Sequence, residues 1–307
     1  TASNAHASLA VGAYAITGGL GGLGLRAAKV LVDGGVSRVL LASRSGRVVR
    51  DGQGLETQLH SMGGVAAVLA CDSAGTRDVN ALCSVDVLSG VLHAAGVGDK
   101  GLLTEVALQQ VQWMYASKAM GAWYAQCAAA SAPLEVRVLF SSVGSGLGNV
   151  GQANYAAGNA CLDAHALSLR VRAMAACSLQ WPLVGGAGMG AAAFATMADF
   201  RVAIAGLAGI SLEEYAACLG AQLVASVDVS GSVQVVHDSD VRGLLQDLAD
   251  PSQPRFSELV AVQTKHAPTS VCPVAPVAGP AAGSVLAHAL VGLSTSQRRA
   301  HVEASVM

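Results

Sequence analysis

The sequence predicts an α/β fold, a doubly wound parallel sheet with helices on both faces. Three observations predict it. Short apolar runs alternate with helix-like stretches from Val11 to about His237. The runs are continuously apolar rather than alternating, as strands covered on both faces are. A glycine cluster follows the first run directly and opens a helix. Strands joined through helices imply right-handed βαβ crossovers, which build such a sheet.

The elements follow in order. "AYAIT" (13–17) is the first strand, and "LRAAKVLVDGG" after the glycines is the first helix. "RVLLAS" (38–43) and "VAAVLA" (65–70) are the second and third strands. "VLSGVLHAAG" (87–96) carries the fourth, "EVRVLFSS" (135–142) the fifth and "MAACSLQW" (174–181) the sixth. "YASKAMGAWYAQCAAA" and "NVGQANYAAGNACLDAHALSLR" are the helices on either side of the fifth strand. Beyond Asp250 the texture changes. The stretch 251–284 holds six of the chain's eight prolines and little periodicity, so residues 246–285 are expected to form a linker. Residues 286–307 turn helical again, with Ser294 or Ser296 as an N-cap, but are too few to fold alone.

Composition narrows the partners. With 307 residues the chain can bury a real core as one large domain or two small ones. It is 52% hydrophobic and 12% charged, with a net charge of −2, so it offers no basic field for nucleic acid. Small molecules and other proteins remain. Two charge-free runs, Ala173–Ala198 and Val138–Leu162, are long enough for a membrane span, but Pro, Gly, Ser and Asn interrupt them. Both are read as buried strands running into loops, so no membrane association is expected. The chain begins at Thr1 without a signal-like segment and reads as a piece of a longer polypeptide. Its seven cysteines are scattered without a CxxC pair, which suits reduced thiols in a cytoplasmic core. Cys161 and His165 share a helix face, but two ligands do not make a structural zinc site, and no metal is expected.

"ITGGLGGLGLRAAK" (16–29) fits two overlapping glycine patterns, Gly19-x-Gly21-x-x-Gly24 and Thr17-Gly18-x-x-x-Gly22-x-Gly24, with Leu20 and Leu23 between them. Glycines there permit a tight turn and let backbone approach a pyrophosphate held at the helix N-terminus. The end of the second strand, Leu41-Ala42-Ser43-Arg44-Ser45, has no acid for a ribose 2′-hydroxyl. Arg44 and Ser43 suit a 2′-phosphate, so NADPH is expected over NADH. Asp72, after the third strand, is placed either to meet the adenine edge or to cap the following helix.

Tyr155 and Asn159 lie four apart on one helix face. Ser142 ends the fifth strand, where open α/β sheets place their ligands. A phenol can protonate an alkoxide forming from a carbonyl, but its pKa near 10 calls for a nearby cation. Lys118, on a preceding helix, is the cation on offer.

"TGGLGGLG", "SRSG", "HAAGV", "SKAMGAW", "LFSSVGSGLGNVGQANYAAGNACLDA" and "SLQWP" resemble the ketoreductase domain of modular polyketide synthases, and also that of animal-type fatty acid synthase. The resemblance covers about residues 11–240. It implies a Rossmann-like short-chain dehydrogenase/reductase fold with a catalytic region of 11–245. Residues 1–10 would lead in from an absent structural half, and 286–307 would open an acyl-carrier domain cut before its attachment serine. Simple members of that superfamily carry Tyr-x-x-x-Lys, whereas here Asn159 stands at the Lys position. In polyketide ketoreductases the Lys and Asn positions are exchanged, so the resemblance implies a tetrad of Lys118, Ser142, Tyr155 and Asn159. Tyr155 would protonate the alkoxide, Ser142 would hydrogen-bond the carbonyl, and Lys118 would lower the Tyr pKa and hold the nicotinamide ribose. Asn159 would help a proton relay. Ala94, Ala95 and Gly96 of "HAAG" would pass the cofactor, and His93 is read as a satisfied core residue. The implied partner is an acyl-carrier domain bearing a phosphopantetheine-linked β-ketoacyl chain, beside other domains of the same megasynthase.

The chain departs from that family in places. A Leu-Asp-Asp triplet after "HAAGV" marks one alcohol hand, and here Gly98-Asp99-Lys100 stands there. A Trp eight residues before the Tyr marks the other, and here that residue is Leu147. Neither fingerprint is complete, so no product hand is assigned. The stretch from Asp72 to His93 is several residues short of the family's, which predicts a shortened third crossover helix and a looser sheet centre. Two functions stay open: an NADPH-dependent reductase of carrier-bound β-ketoacyl thioesters, or a silent domain that only organises a megasynthase.

Overall fold

The computed structural model describes residues 11–48, 54–84, 87–98, 101–148, 151–186, 209–225, 233–234 and 252–257. The chain divides into two compact units, residues 1–196 with 209–235, and residues 197–208 with 236–307. In the second, the described stretch is a single 3-10 turn, Pro254–Phe256. The proposed linker and carrier-like tail otherwise lie outside the described residues, as do residues 1–10, Asp99 and Lys100.

In the first unit a seven-stranded sheet runs β3-β2-β1-β4-β5-β6-β7. Its strands are β1 Ala13–Thr17, β2 Arg38–Ser43, β3 Ala66–Ala70, β4 Leu88–His93, β5 Val136–Ser142, β6 Cys177–Trp181 and β7 Val233–Gln234. Every neighbouring pair is parallel. The six expected strands are present within a few residues of their expected ends. The two-residue β7 is too short to leave a pattern in the sequence.

β1 is buried along its whole length. Its alternate side chains feed two cores, as the two-residue period of a strand requires. Tyr14 and Ile16 point to one face, with Leu92, Phe140 and Leu179. Helix α1 (Gly22–Asp33) covers that face with Leu25 and Leu31, joined by Tyr215, Leu219 and Leu223 from a helix over Leu212–Ala225. Ala13 and Ala15 point to the other face with Leu40, Leu88 and Val91. Val79 and Leu82 of a helix over Thr76–Cys83 lie there, with Ala125 of a helix over Gly121–Ala128.

The third crossover helix, Thr76–Cys83, is eight residues long. β1 and β4 keep five register pairs, with one irregularity between Ala13 and Tyr14.

Within its described residues, the charge-free run Ala173–Ala198 holds β6. Val138–Leu162 holds β5, a short helix over Gly144–Leu147 and the start of a helix over Ala153–Val171. No helix among the described residues is long and apolar enough to cross a membrane. The six described cysteines are free thiols, and Cys272 lies outside the described residues. No group of three or more metal-ligating side chains occurs among the described residues. His165 lies edge-on to Trp123, with centroids 5.8 Å apart.

Candidate active site

The strand order reverses between β1 and β4, and a crevice forms there at the carboxyl ends of the strands. Thr17 ends β1 opposite His93 of β4, and the Ala94 N–H donates to the Thr17 carbonyl at 3.0 Å. Gly18 follows with φ +69, a left-handed conformation that favours glycine. A Cβ there would lie 2.6 Å from the Ala95 nitrogen, so the turn touches the Ala94–Ala95 backbone directly. Gly24 closes the turn from the helix side, where a Cβ would come within 2.3 Å of the Gly18 carbonyl oxygen. Gly21 N–H donates to that same oxygen at 3.0 Å. Thr17, Gly18–Gly24 and Ala94–Gly96 thus form one continuous wall above the sheet.

The residues present fit a nicotinamide dinucleotide. The glycine turn opens the twelve-residue helix Gly22–Asp33, so its first N–H groups face the crevice. Ser43 Oγ is buried without a hydrogen-bond partner, at the end of β2. Arg44 beside it is exposed and has no acidic partner among the described residues. Both are groups that a phosphate would satisfy. Asp72 is exposed and engaged locally: its Oδ1 accepts the Ala74 N–H at 3.0 Å and its carbonyl accepts the Gly75 N–H at 2.9 Å. It therefore caps a turn ahead of the helix, whose own N-cap is Gly75.

The four proposed catalytic residues converge on the same crevice. Lys118 does not sit in a plain α-helix. It occupies a π turn, Ala116–Met120, between helices over Leu108–Tyr115 and Gly121–Ala128. π turns carry one extra residue and often mark functional positions. Lys118 is 3% exposed, its ammonium lies 5.3 Å from the Tyr155 ring centroid, and Nζ donates to the Phe140 carbonyl at 3.4 Å. Burial lowers its pKa to about 8, against an opposing pull from Asp163. Gly96 leaves room for the ammonium, since a Cβ there would be 3.0 Å from Lys118 Nζ.

Ser142 Oγ accepts the Gly144 N–H at 3.2 Å, which leaves its own proton to donate into the crevice. Asn159 is fully buried; its Nδ2 donates to the Tyr155 carbonyl at 2.9 Å and its Oδ1 has no partner. The Tyr155 phenol lies beside the Ser142 and Asn159 side chains. Burial raises its pKa above 10.0, and the neighbouring Asn159 and Ser142 side chains only partly offset this.

One residue that matters here was not anticipated. Asp163, on the Tyr155 helix, accepts hydrogen bonds from Ser145 Oγ at 2.6 Å, Ser178 Oγ at 2.6 Å and Gln180 Nε2 at 2.7 Å. It ties that helix to β6 and to the turn carrying Ser142. Its place four residues past Asn159, on the same face, was the available signal.

The sequence profile described as "KR domain" matches residues 12–186. The chain belongs to the KR-domain family. KR domains are ketoreductases of the short-chain dehydrogenase/reductase superfamily, and they bind a nicotinamide cofactor. This KR domain is 38% identical over 220 residues to the spectinabilin polyketide synthase system protein NorB of Streptomyces orinoci, which covers 70% of this chain and 10% of that protein. It is 38% identical over 175 residues to erythronolide synthase EryA2 of Saccharopolyspora erythraea, covering 56% of this chain and 5% of that one. Among solved structures it resembles A-type ketoreductases from a modular polyketide synthase, with a TM-score of 0.71 and 26% identity over 85% of this chain and 55% of theirs. The first ketoreductase of the tylosin synthase gives a TM-score of 0.68 and 30% identity, over 85% of this chain and 57% of that one. The chain thus spans a small part of its curated relatives and little more than half of the solved ketoreductases.

Proposed function

We propose that this KR domain reduces the β-ketone of an acyl thioester carried on an acyl-carrier domain to the β-alcohol, using NADPH. The observation that carries the reading is the convergence of Lys118, Ser142, Tyr155 and Asn159 beside the glycine turn. Ser142 is set to donate to the ketone oxygen, with one of its two lone pairs taken by the Gly144 N–H. Tyr155 gives its phenolic proton to the oxygen as the alcohol forms. Asn159 presents a buried, unpartnered Oδ1 that could accept a hydrogen bond from a water relaying a proton back to Tyr155. Bound NADPH would supply the hydride that the carbonyl carbon accepts. Thr17, Gly18–Gly24, Asp72 and Ala94–Gly96 would hold the dinucleotide, and Lys118 and Tyr155 its nicotinamide ribose. Ser43 and Arg44 would hold the 2′-phosphate, which favours NADPH over NADH.

The same reading takes 11–245 as the catalytic region, 246–285 as a linker and 286–307 as the start of a carrier domain. It places the chain within a cytoplasmic megasynthase, a setting supported by the free thiols. The test is NADPH consumption by the full chain with a β-ketoacyl N-acetylcysteamine thioester, beside Tyr155→Phe. A wild type no faster than Tyr155→Phe, while still binding NADPH, would leave a silent organising domain as the function. Arg44→Ala should raise the KM for NADPH far more than for NADH; equal effects would remove the cofactor assignment.

A further inference from the structure

β4 ends on His93, whose imidazole is 0% exposed and lies behind the crevice. Its Nδ1 is 2.7 Å from Thr17 Oγ1, and its Nε2 is 3.1 Å from the Lys118 carbonyl oxygen. A carbonyl oxygen only accepts, so Nε2 carries the hydrogen. Burial, with the Lys118 ammonium nearby, holds the ring neutral, its pKa lowered to about 3. In the neutral ring Nδ1 is then the acceptor, and the Thr17 hydroxyl donates to it. Both hydrogen bonds therefore have one direction: Thr17 O–H to Nδ1, and Nε2–H to the Lys118 carbonyl.

That carbonyl belongs to the middle of the π turn, where the Gly121 N–H reaches back five residues to the Ala116 carbonyl. The Gly121 N–H also reaches the Lys118 carbonyl, so that oxygen serves both the turn and the imidazole. The helix is pressed against the imidazole at Gly121, where a Cβ would be 2.8 Å from His93 Cε1. We propose that His93 is a positioning residue, which pins the π turn to the end of β1 through Thr17 and so fixes where the Lys118 ammonium stands over Tyr155. It links the residue just before the glycine turn to the only cation of the tetrad. Its kinetic consequence rests on the reductase reading above; its geometry does not.

The test pairs two variants. His93→Phe keeps the ring volume and removes both hydrogen bonds, whereas His93→Gln keeps a side-chain N–H donor. With a β-ketoacyl N-acetylcysteamine thioester, His93→Phe should lose about 10- to 100-fold in kcat, the scale of a small misplacement near reacting atoms. The thioester KM should stay within about threefold, because the interaction lost is made in the transition state. His93→Gln should recover about tenfold of that loss. A His93→Phe enzyme within about twofold of wild type in kcat, or a folded His93→Gln no better than Phe, overturns the proposal.

A second readout needs neither activity nor a stable variant. Imidazole ¹⁵N spectra of the wild-type chain should show His93 as the neutral Nε2–H tautomer from about pH 5 to about pH 9. A titrating ring, or the Nδ1–H tautomer, would overturn the link. If the wild type reduces no β-ketoacyl thioester, the reductase reading fails, and the ¹⁵N spectra still decide the His93 link separately.

Discussion

Replacing Lys118 by Met should make the folded chain more stable while it slows the reaction. Lys118 is 3% exposed and carries its charge without a salt-bridge partner among the described residues. Burial takes its pKa from 10.5 to about 8. At ~1.4 kcal/mol per unit, holding the ammonium in the folded state near neutral pH costs roughly 3 kcal/mol. Methionine has a similar length and no charge, and fills such a space adaptably. Lys118→Met should therefore recover up to about 3 kcal/mol, a rise in Tm on the order of 5–10 °C. The kcat should fall about 10²- to 10⁴-fold if the ammonium assists the proton step.

The assay is thermal and urea unfolding of both proteins across pH. The unfolded chain holds the lysine proton up to 10.5, while the folded chain releases it near about 8. Between those values the unfolded state binds more protons, so wild-type stability from this group climbs as pH rises. The variant lacks the climb, and its advantage should shrink toward 10.5. A Lys118→Met protein less stable than wild type at neutral pH, or an advantage that does not change with pH, would refute the reasoning.

Asp163→Ala should cost about 2–6 kcal/mol, because the buried Ser178 and Gln180 donors lose their acceptor at ~1–3 kcal/mol each. Asp163→Asn should cost clearly less in urea unfolding, since hydroxyls can turn and Gln180 Oε1 is unpartnered and can accept from the new amide; equal losses would sink this account. Gly18→Ala should weaken NADPH binding at least about tenfold by fluorescence titration, because the left-handed backbone and the 2.6 Å approach to Ala95 force the turn to shift. An unchanged Kd would show that the turn does not hold the dinucleotide. Tyr215→Phe should lower stability by about 1 kcal/mol through loss of the 2.8 Å hydrogen bond to the Leu23 carbonyl; a loss of several kcal/mol would mean the hydroxyl does more than the structure shows.

The strands were legible because burial on both faces leaves one signature, a short apolar run, and that signature survives without any tertiary information. The glycine turn was legible for a similar reason: only glycine tolerates the approach of Gly18 to Ala95. Lys118 could be placed on a helix but not in a π turn, since nothing in the local pattern marks the extra residue. Asp163 was hidden because its three partners come from a turn and a strand distant along the chain. The raised Tyr155 pKa could not be read either, because burial is a property of the assembled crevice and no spacing encodes it.

The place of β1 between β2 and β4 has a consequence for how the chain is made. A ribosome delivers Thr17 and the glycine turn first, and Ala94–Ala95, the surface against which Gly18 rests, emerges 77 residues later. The helix with Tyr155 and Asn159 follows later still, on the order of ten seconds after the turn at ordinary rates of synthesis. Parallel pairing of this kind forms slowly, because each strand must wait for a partner brought back by a crossover. The dinucleotide therefore has no finished cradle to bind until Ala94–Ala95 have emerged after the glycine turn. It can reward the fold only after both halves of the crevice have met, as a late lock and not as an early template.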